Sequence, residues 1–479
     1  MNSTLLLILV IIKWNGEKYN VPVDLSQPGL VLKTQIFSLT GVAPERQKIM
    51  VKGGVLKDDT DLNTLKLKEN QQLMMMGTVE ALKEPQEKPV FLEDLSEAQI
   101  SKALNIPAGL VNLGNTCYLN STLQCLRAVT ELPTAVEKTG INISSNNQQN
   151  FSVSMNALFK ELDKSGQAVH PVMFVQLLRT LYPQFAERDR NGFMQQDAEE
   201  CWGQIVHVLD ETVNGLTRNG ESNKSKKFVE QFMTVETIVE TKCDDAPAEP
   251  PSVSMETTNK LRVNIGAVST YMVSEIGNGL IEKIEKNSPT LGRNAIFTKT
   301  SKISRLPRYL TINFVRFQWK AQEQIKAKIL KRVQFPFELD MVPFCTPELT
   351  AKLQPAKQRL KEIADRKADE KIENAQEMAV DEAPKDQKAL LEAIGVDSSL
   401  IEDPGVNPSG QYDLVAVLTH VGRGANSGHY IGWVKQGGHW WKFDDDKVSQ
   451  IKEEDITKLE GGGDWHTAYM CLYKSRDLE

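Results

Sequence analysis

The chain has 479 residues, 40% of them hydrophobic and 25% charged, with a formal net charge of −7. At roughly 100–200 residues per domain that length allows two to four domains and excludes a single small binding module, while the apolar content excludes wholesale disorder. The acidic balance argues against a general polyanion binder, because phosphate contacts need a surplus of Lys and Arg. Six cysteines, Cys117, Cys125, Cys201, Cys243, Cys345 and Cys471, include no C-x-x-C pair, which argues against a disulfide scaffold or a four-thiolate zinc site.

Residues 5–12 (LLLILVII) are too few to span a bilayer, which takes about 20 apolar residues. No basic segment precedes them, and Lys13-Trp14-Asn15-Gly16 follows where a signal cleavage site would lie, so the run reads as a buried strand. Asn15-Gly16 predicts a hairpin into the alternating stretch 17–23. Leu30, Leu32, Ile36, Phe37 and Leu39 follow at helical spacing, and further apolar pieces stand at 48–51, 65–67 and 73–76. Strand, strand, helix, strand, strand in under eighty residues is a β-grasp pattern. Residues 1–77 resemble a ubiquitin-like domain, with 47–56 looking like its third strand and following turn. The resemblance implies an apolar partner-binding patch at Met50, Met74 and Met76, and methionine suits an adaptable contact. Alternation turns Met75 to the opposite face.

Residues 78–106 are polar and charged and read as a linker. In the segment 109–126 (GLVNLGNTCYLNSTLQCL), Leu119, Leu123 and Leu126 have helical spacing, which places Cys117 at or just before a helix N-terminus with Asn115 or Thr116 as cap. Exposed backbone N–H groups and the helix dipole favour a thiolate there. Cys125, inside the helix, reads as core. Residues 217–227 read as an exposed loop. The stretch 346–410 has no aromatic residue, and 18 of the 38 residues from 351 to 388 are charged. It lacks a broad apolar stripe and reads as a solvated helical or disordered insertion.

A thiol nucleophile needs a base. His429 stands in a Gly- and Ser-containing loop that feeds an apolar strand, and a turn near Gly437 returns the chain to Asp444-Asp445-Asp446. A four-residue loop pairs His429 with Asp444 and a three-residue loop with Asp445; either carboxylate would orient the imidazole. His207, His420 and His466 read as structural or surface residues.

The Cys117 segment, the stretch 195–200 (QQDAEE) and the His–Asp hairpin resemble, in order, three blocks of the ubiquitin-specific proteases, papain-like deubiquitinating enzymes. That resemblance implies an α+β cysteine-protease domain of thumb, palm and fingers over 107–475, with the charged insertion 346–410 inside it. It implies Cys117 as nucleophile, His429 as general base and then acid, Asp444 as orienting carboxylate and Asn112 as oxyanion-hole side chain. Gln196 and Asp197 would contact the ubiquitin tail. The loops near 318–326 and 421–427 would cover the tail channel in the free enzyme. The ubiquitin-like start and the Gly-rich 461–466 are similar to the proteasome-associated branch of the family, implying a cytoplasmic or also nuclear monomer that docks on the proteasome through its N-terminal domain and trims ubiquitin. No cofactor, structural zinc, nucleic acid or membrane partner is expected; the fingers stretch 226–320 holds only Cys243. A competing reading is a catalytically silent ubiquitin-binding regulator.

Overall fold

The computed structural model describes residues 7–79, 106–190, 192–266, 268–320, 325–373, 387–422, 424 and 427–478. The expected linker falls almost wholly outside them. Two compact units divide the chain near Phe91.

In the first unit, β1 (Leu7–Trp14) and β2 (Glu17–Asp24) form the expected hairpin, with Asn15 at φ 46° and Gly16 at φ 85°. Both central residues of this turn need positive φ, which Asn and Gly tolerate best. Helix α1 (Gly29–Thr40) crosses a five-stranded sheet completed by β3 (Lys48–Val51), β4 (Gly54–Val55) and β5 (Gln71–Met76), in the order β2-β1-β5-β3-β4. Strands β1 and β5 run parallel, which closes a β-grasp. Its core gathers Val10, Ile12, Val23, Leu32, Ile36, Ile49, Leu73 and Met75. The opening strand is half-buried rather than buried: Val10 and Ile12 face the core, Leu9 and Ile11 are partly covered, and Leu7 is 57% exposed. Residues 65–67 form no strand. They end a 3-10 turn, Leu62–Leu65, at Lys66 with φ 49°. Of the five spaced apolar residues of α1, only Leu32 and Ile36 are buried.

The second unit begins with five helices, α2 (Cys117–Leu126), α3 (Leu132–Thr139), α4 (Asn147–Lys164), α5 (Val172–Leu181) and α6 (Ala198–Thr212). Then come β6 (Val235–Cys243), β7 (Ser252–Thr258), β8 (Leu261–Asn264), β9 (Ile281–Ser288), β10 (Arg293–Arg305), β11 (Tyr309–Val315) and β12 (Glu338–Asp340). A long helix, α7 (Pro347–Glu373), precedes β13 (Gln411–Val421), β14 (His429–Gln436), β15 (His439–Asp444), β16 (Lys447–Ile451) and β17 (Thr467–Ser475). A four-stranded sheet, β7-β6-β10-β9, stands beside an eight-stranded one ordered β8-β11-β17-β13-β14-β15-β16, with β12 paired to β13. Every residue of α2 is buried. It lies on one face of the large sheet, so close that a Cβ at Gly432 would come 3.2 Å from the Ser121 carbonyl.

Two expectations for this unit fail. Residues 217–227 are partly β: Ser222–Lys227 pairs with Asn214–Leu216. The insertion is not merely solvated, because Leu349, Leu353, Ala356, Leu360 and Ile363 of α7 are buried. Spaced four, three, four and three residues apart, they form a stripe one residue wide along a charged helix.

Candidate active site

The chain reaches Cys117 through a turn that its own side chains shape. Gly114 and Asn115 adopt φ 93° and 52°. The Asn112 carbonyl oxygen Oδ1 accepts from the backbone N–H groups of Gly114 (2.9 Å) and Thr116 (3.3 Å). Thr116 Oγ1 accepts from the Leu113 N–H at 2.9 Å, and Asn115 Nδ2 donates to the Phe193 carbonyl at 2.8 Å. Thr116 holds the N-cap position yet its side chain makes no capping bond, and the Asn115 amide is turned toward Phe193. The first amides of α2 are therefore not consumed by a cap and point toward the end that carries Cys117.

His429 and Asp444 come from adjacent strands, but not by either expected turn. Gln436 pairs with His439 across the two residues Gly437 and Gly438, at φ 59° and 77°. In that register Asp446 would be opposite His429, and Asp444 is its diagonal neighbour on the same face. His429 Nε2 and Asp444 Oδ1 are 2.7 Å apart, and Lys442 Nζ donates to Asp444 Oδ2 at 2.9 Å. Burial alone would raise the Asp444 carboxyl, but bonds from His429 and Lys442 outweigh it and hold the group below its ordinary range. A hydrogen bond with the Cys117 thiol, aided by Asp444 and opposed by burial, raises His429 to about 9. The ring therefore carries a proton at neutral pH, and Nδ1 is the nitrogen left for sulfur. An imidazolium between a thiol and a carboxylate is the arrangement that activates a nucleophilic cysteine.

Asp445 has a part that the hairpin alone does not suggest. At φ 53°, it directs its two carboxylate oxygens to Asn112 Nδ2 and Asn120 Nδ2, each at 2.8 Å. Its carbonyl accepts from the Leu110 N–H at 2.9 Å, and a Cβ at Gly109 would lie 2.6 Å from that oxygen. The end of the hairpin is thus stapled to the segments before and after Cys117. The sequence signals were a polar Asn120 directly after Leu119 in the helix and a second Asp in the run 444–446.

Asp197 caps α6 through the Glu199 N–H (2.9 Å) and accepts from Tyr469 Oη (2.8 Å). Gln195 and Gln196 each bury an Nε2 that has no hydrogen-bond partner among the described residues. Nearby, Phe317 meets His420 and Tyr469 edge-on, and His420 packs on Tyr430. Burial, with Lys328 beside it, pushes His420 down to about 4. The hairpin Phe317–Lys320 with Ile325–Lys328 touches the second expected loop through a bridge between Ala327 and Gly424. Residues 321–324, 423, 425 and 426 lie outside the described residues. In the other unit, Met50, Met74 and Met76 are 42%, 56% and 53% exposed, and Met75 is buried.

Cys117, His429, Asp444 and Asn112 thus meet at one rim of the large sheet, and with the fold they define a papain-type thiol hydrolase carrying a β-grasp domain. The profile described as ubiquitin carboxyl-terminal hydrolase matches residues 108–473, and the ubiquitin family profile matches residues 8–80. The chain belongs to the ubiquitin carboxyl-terminal hydrolase family and is a thiol-dependent deubiquitinating enzyme. It is 42% identical over 490 residues to ubiquitin carboxyl-terminal hydrolase 6 of Schizosaccharomyces pombe, covering 99% of this chain and 100% of that one. It is 42% identical to ubiquitin carboxyl-terminal hydrolase 7 of Arabidopsis thaliana, over 98% and 99% of the two chains. With ubiquitin carboxyl-terminal hydrolase 14 of Caenorhabditis elegans it shares 35%, over 98% and 94%. The solved SAGA Ubp8/Sgf11/Sus1/Sgf73 DUB module bound to ubiquitin aldehyde is similar in fold, with a TM-score of 0.52 and 18% identity over 78% of this chain and 70% of that one.

Proposed function

We propose that Cys117 attacks the carbonyl of ubiquitin's terminal glycine, with His429 as proton carrier and Asp444 as its orienting carboxylate. The observation that carries this reading is His429, whose Nε2 lies 2.7 Å from Asp444 Oδ1 and whose pKa is raised first by the Cys117 thiol and then by Asp444. The sulfur forms a thioester, His429 gives its proton to the departing lysine amine, and then takes one from the water that releases ubiquitin. The Cys117 amide and Asn112 Nδ2 receive the oxyanion. An amide nitrogen has two N–H bonds and Asp445 engages one, so the second serves this role. Gln196 and Asp197 hold the tail, and the two loops joined by the Ala327–Gly424 bridge cover its channel until substrate arrives. The N-terminal domain docks the enzyme on the proteasome through Met50, Met74 and Met76, an exposed methionine patch on a ubiquitin-like sheet.

The test is turnover of a fluorogenic ubiquitin C-terminal amide with and without proteasomes. Wild type is expected to turn over faster with proteasomes, and Cys117→Ala not at all. Deleting residues 1–77 should remove the proteasome-dependent rise while Cys117 still reacts with a ubiquitin-tail electrophile. Retained stimulation would refute the docking role, and an active Cys117→Ala variant would refute the nucleophile.

A further inference from the structure

Trp433, Trp440 and Trp441 of the large sheet are buried, whereas Trp465 is 60% exposed. Its position is nonetheless built. The preceding loop is pinned where the Gly462 N–H donates to the Leu330 carbonyl at 2.8 Å, with Gly461 and Gly462 at φ 100° and 97°. Trp465 meets the buried His466 edge-on at 5.2 Å, and His466 meets Trp433 at 6.0 Å. Trp433 is fixed by its Nε1 bond to Thr419 Oγ1 at 2.8 Å, and the Lys442 ammonium lies 5.8 Å from its ring centroid. Lys442 in turn holds Asp444. A continuous row of packed groups therefore links the exposed indole to the catalytic carboxylate.

The row lies on a definite side of the sheet. Tyr430 and Tyr469 pack in the core beneath α2, together with Phe317. Strand alternation turns Trp433, Lys442 and Asp444 to the other face. A ubiquitin tail held on the Asp197–Tyr469 side and cut at the rim presents its leaving amine over that second face.

We propose that Trp465 is a specificity-determining contact for the acceptor, taking the aliphatic stem and neighbouring backbone of the ubiquitin-bearing lysine against its indole. This rests on the reading of the active site given above. It follows that Trp465 matters only when the leaving group is a lysine-bearing polypeptide, because a small dye amide does not extend beyond the rim.

The full chain, with and without proteasomes, should be assayed on two substrates: a ubiquitin C-terminal dye amide, and ubiquitin joined by an isopeptide bond to the lysine of a dye-labelled peptide. Trp465→Ala is expected to lower kcat/KM on the isopeptide about tenfold and to change the dye amide less than twofold. Trp465→Phe, which keeps an aromatic face, should recover most of the loss. Equal losses on both substrates would indicate a merely structural role and overturn the proposal, as would no loss on the isopeptide. Failure of the wild type on both substrates would instead overturn the active-site reading.

Discussion

Asp445 differs from its neighbour Asp444 in what its oxygens reach. Asp444 serves His429 and Lys442; Asp445 serves two asparagines flanking the nucleophile, one of them 333 residues away in sequence. Removing the Asp445 carboxylate leaves Asn112 Nδ2 without that acceptor and Asn120 Nδ2 with only its longer bonds to the Leu110 and Val111 carbonyls, at a cost of about 1–3 kcal/mol, and loosens the Asn112 amide, which is then held through Oδ1. Asp445→Ala is accordingly expected to lower kcat/KM at least tenfold along with melting temperature. Asp445→Asn, which tolerates the positive φ but offers a single acceptor oxygen, should fall between. Unchanged kinetics in Asp445→Ala would remove the staple from the account. The pH behaviour of His429 follows from the same site. Its raised pKa means that the ring is protonated below about 9 and loses the proton above it. Ring NMR on the resting enzyme should report that midpoint, and Cys117→Ala should lower it because the thiol is the largest raising influence; a wild-type midpoint under 7 would contradict the assignment.

Helix α7 and the His429 hairpin mark how far local sequence reaches. The Asn15-Gly16 turn, the helix start at Cys117 and the strand after His429 were all readable, since each depends on neighbours within a few residues. The turn alone left Asp444 and Asp445 open as partners of His429, and the family resemblance singled out Asp444; the loop is two residues long, and the ring bonds a diagonal neighbour rather than the residue directly opposite. The α7 stripe escaped for another reason: one apolar residue per turn is diluted by charge, and only the surface it packs on reveals that the row is buried. The prediction that follows is local. Leu353, 0% exposed, should cost about 2–5 kcal/mol when replaced by alanine, because a cavity opens in the second core of the catalytic unit. Exposed Glu362→Ala should stay within about 0.5 kcal/mol. Chemical denaturation of the two variants decides it, and similar midpoints would return the insertion to a solvated status.

Across the molecule, stability and recognition are divided between two units that each own a core. The first closes a β-grasp around fourteen buried apolar side chains among the described residues, while Met50, Met74 and Met76 add nothing to that core and are left on the opposite face of the sheet from Met75. A small domain of this size is marginal but foldable, since its sheet, helix and hairpin turn agree locally with the topology they build. Isolated residues 1–79 are therefore expected to unfold cooperatively in a single thermal transition. Replacing Met74 by glutamate should leave that transition within a few degrees, because an exposed position has little packing to lose. The same substitution in the full chain should abolish stimulation by proteasomes and spare basal turnover of the dye amide, since a buried charge at a docking surface is costly whereas Cys117 lies in the other unit. An unfolded fragment would show that the β-grasp depends on the rest of the chain. A Met74→Glu enzyme stimulated like wild type would move the docking surface away from the methionine patch, most directly to the exposed residues of α1, where Leu30, Phe37 and Leu39 stand uncovered.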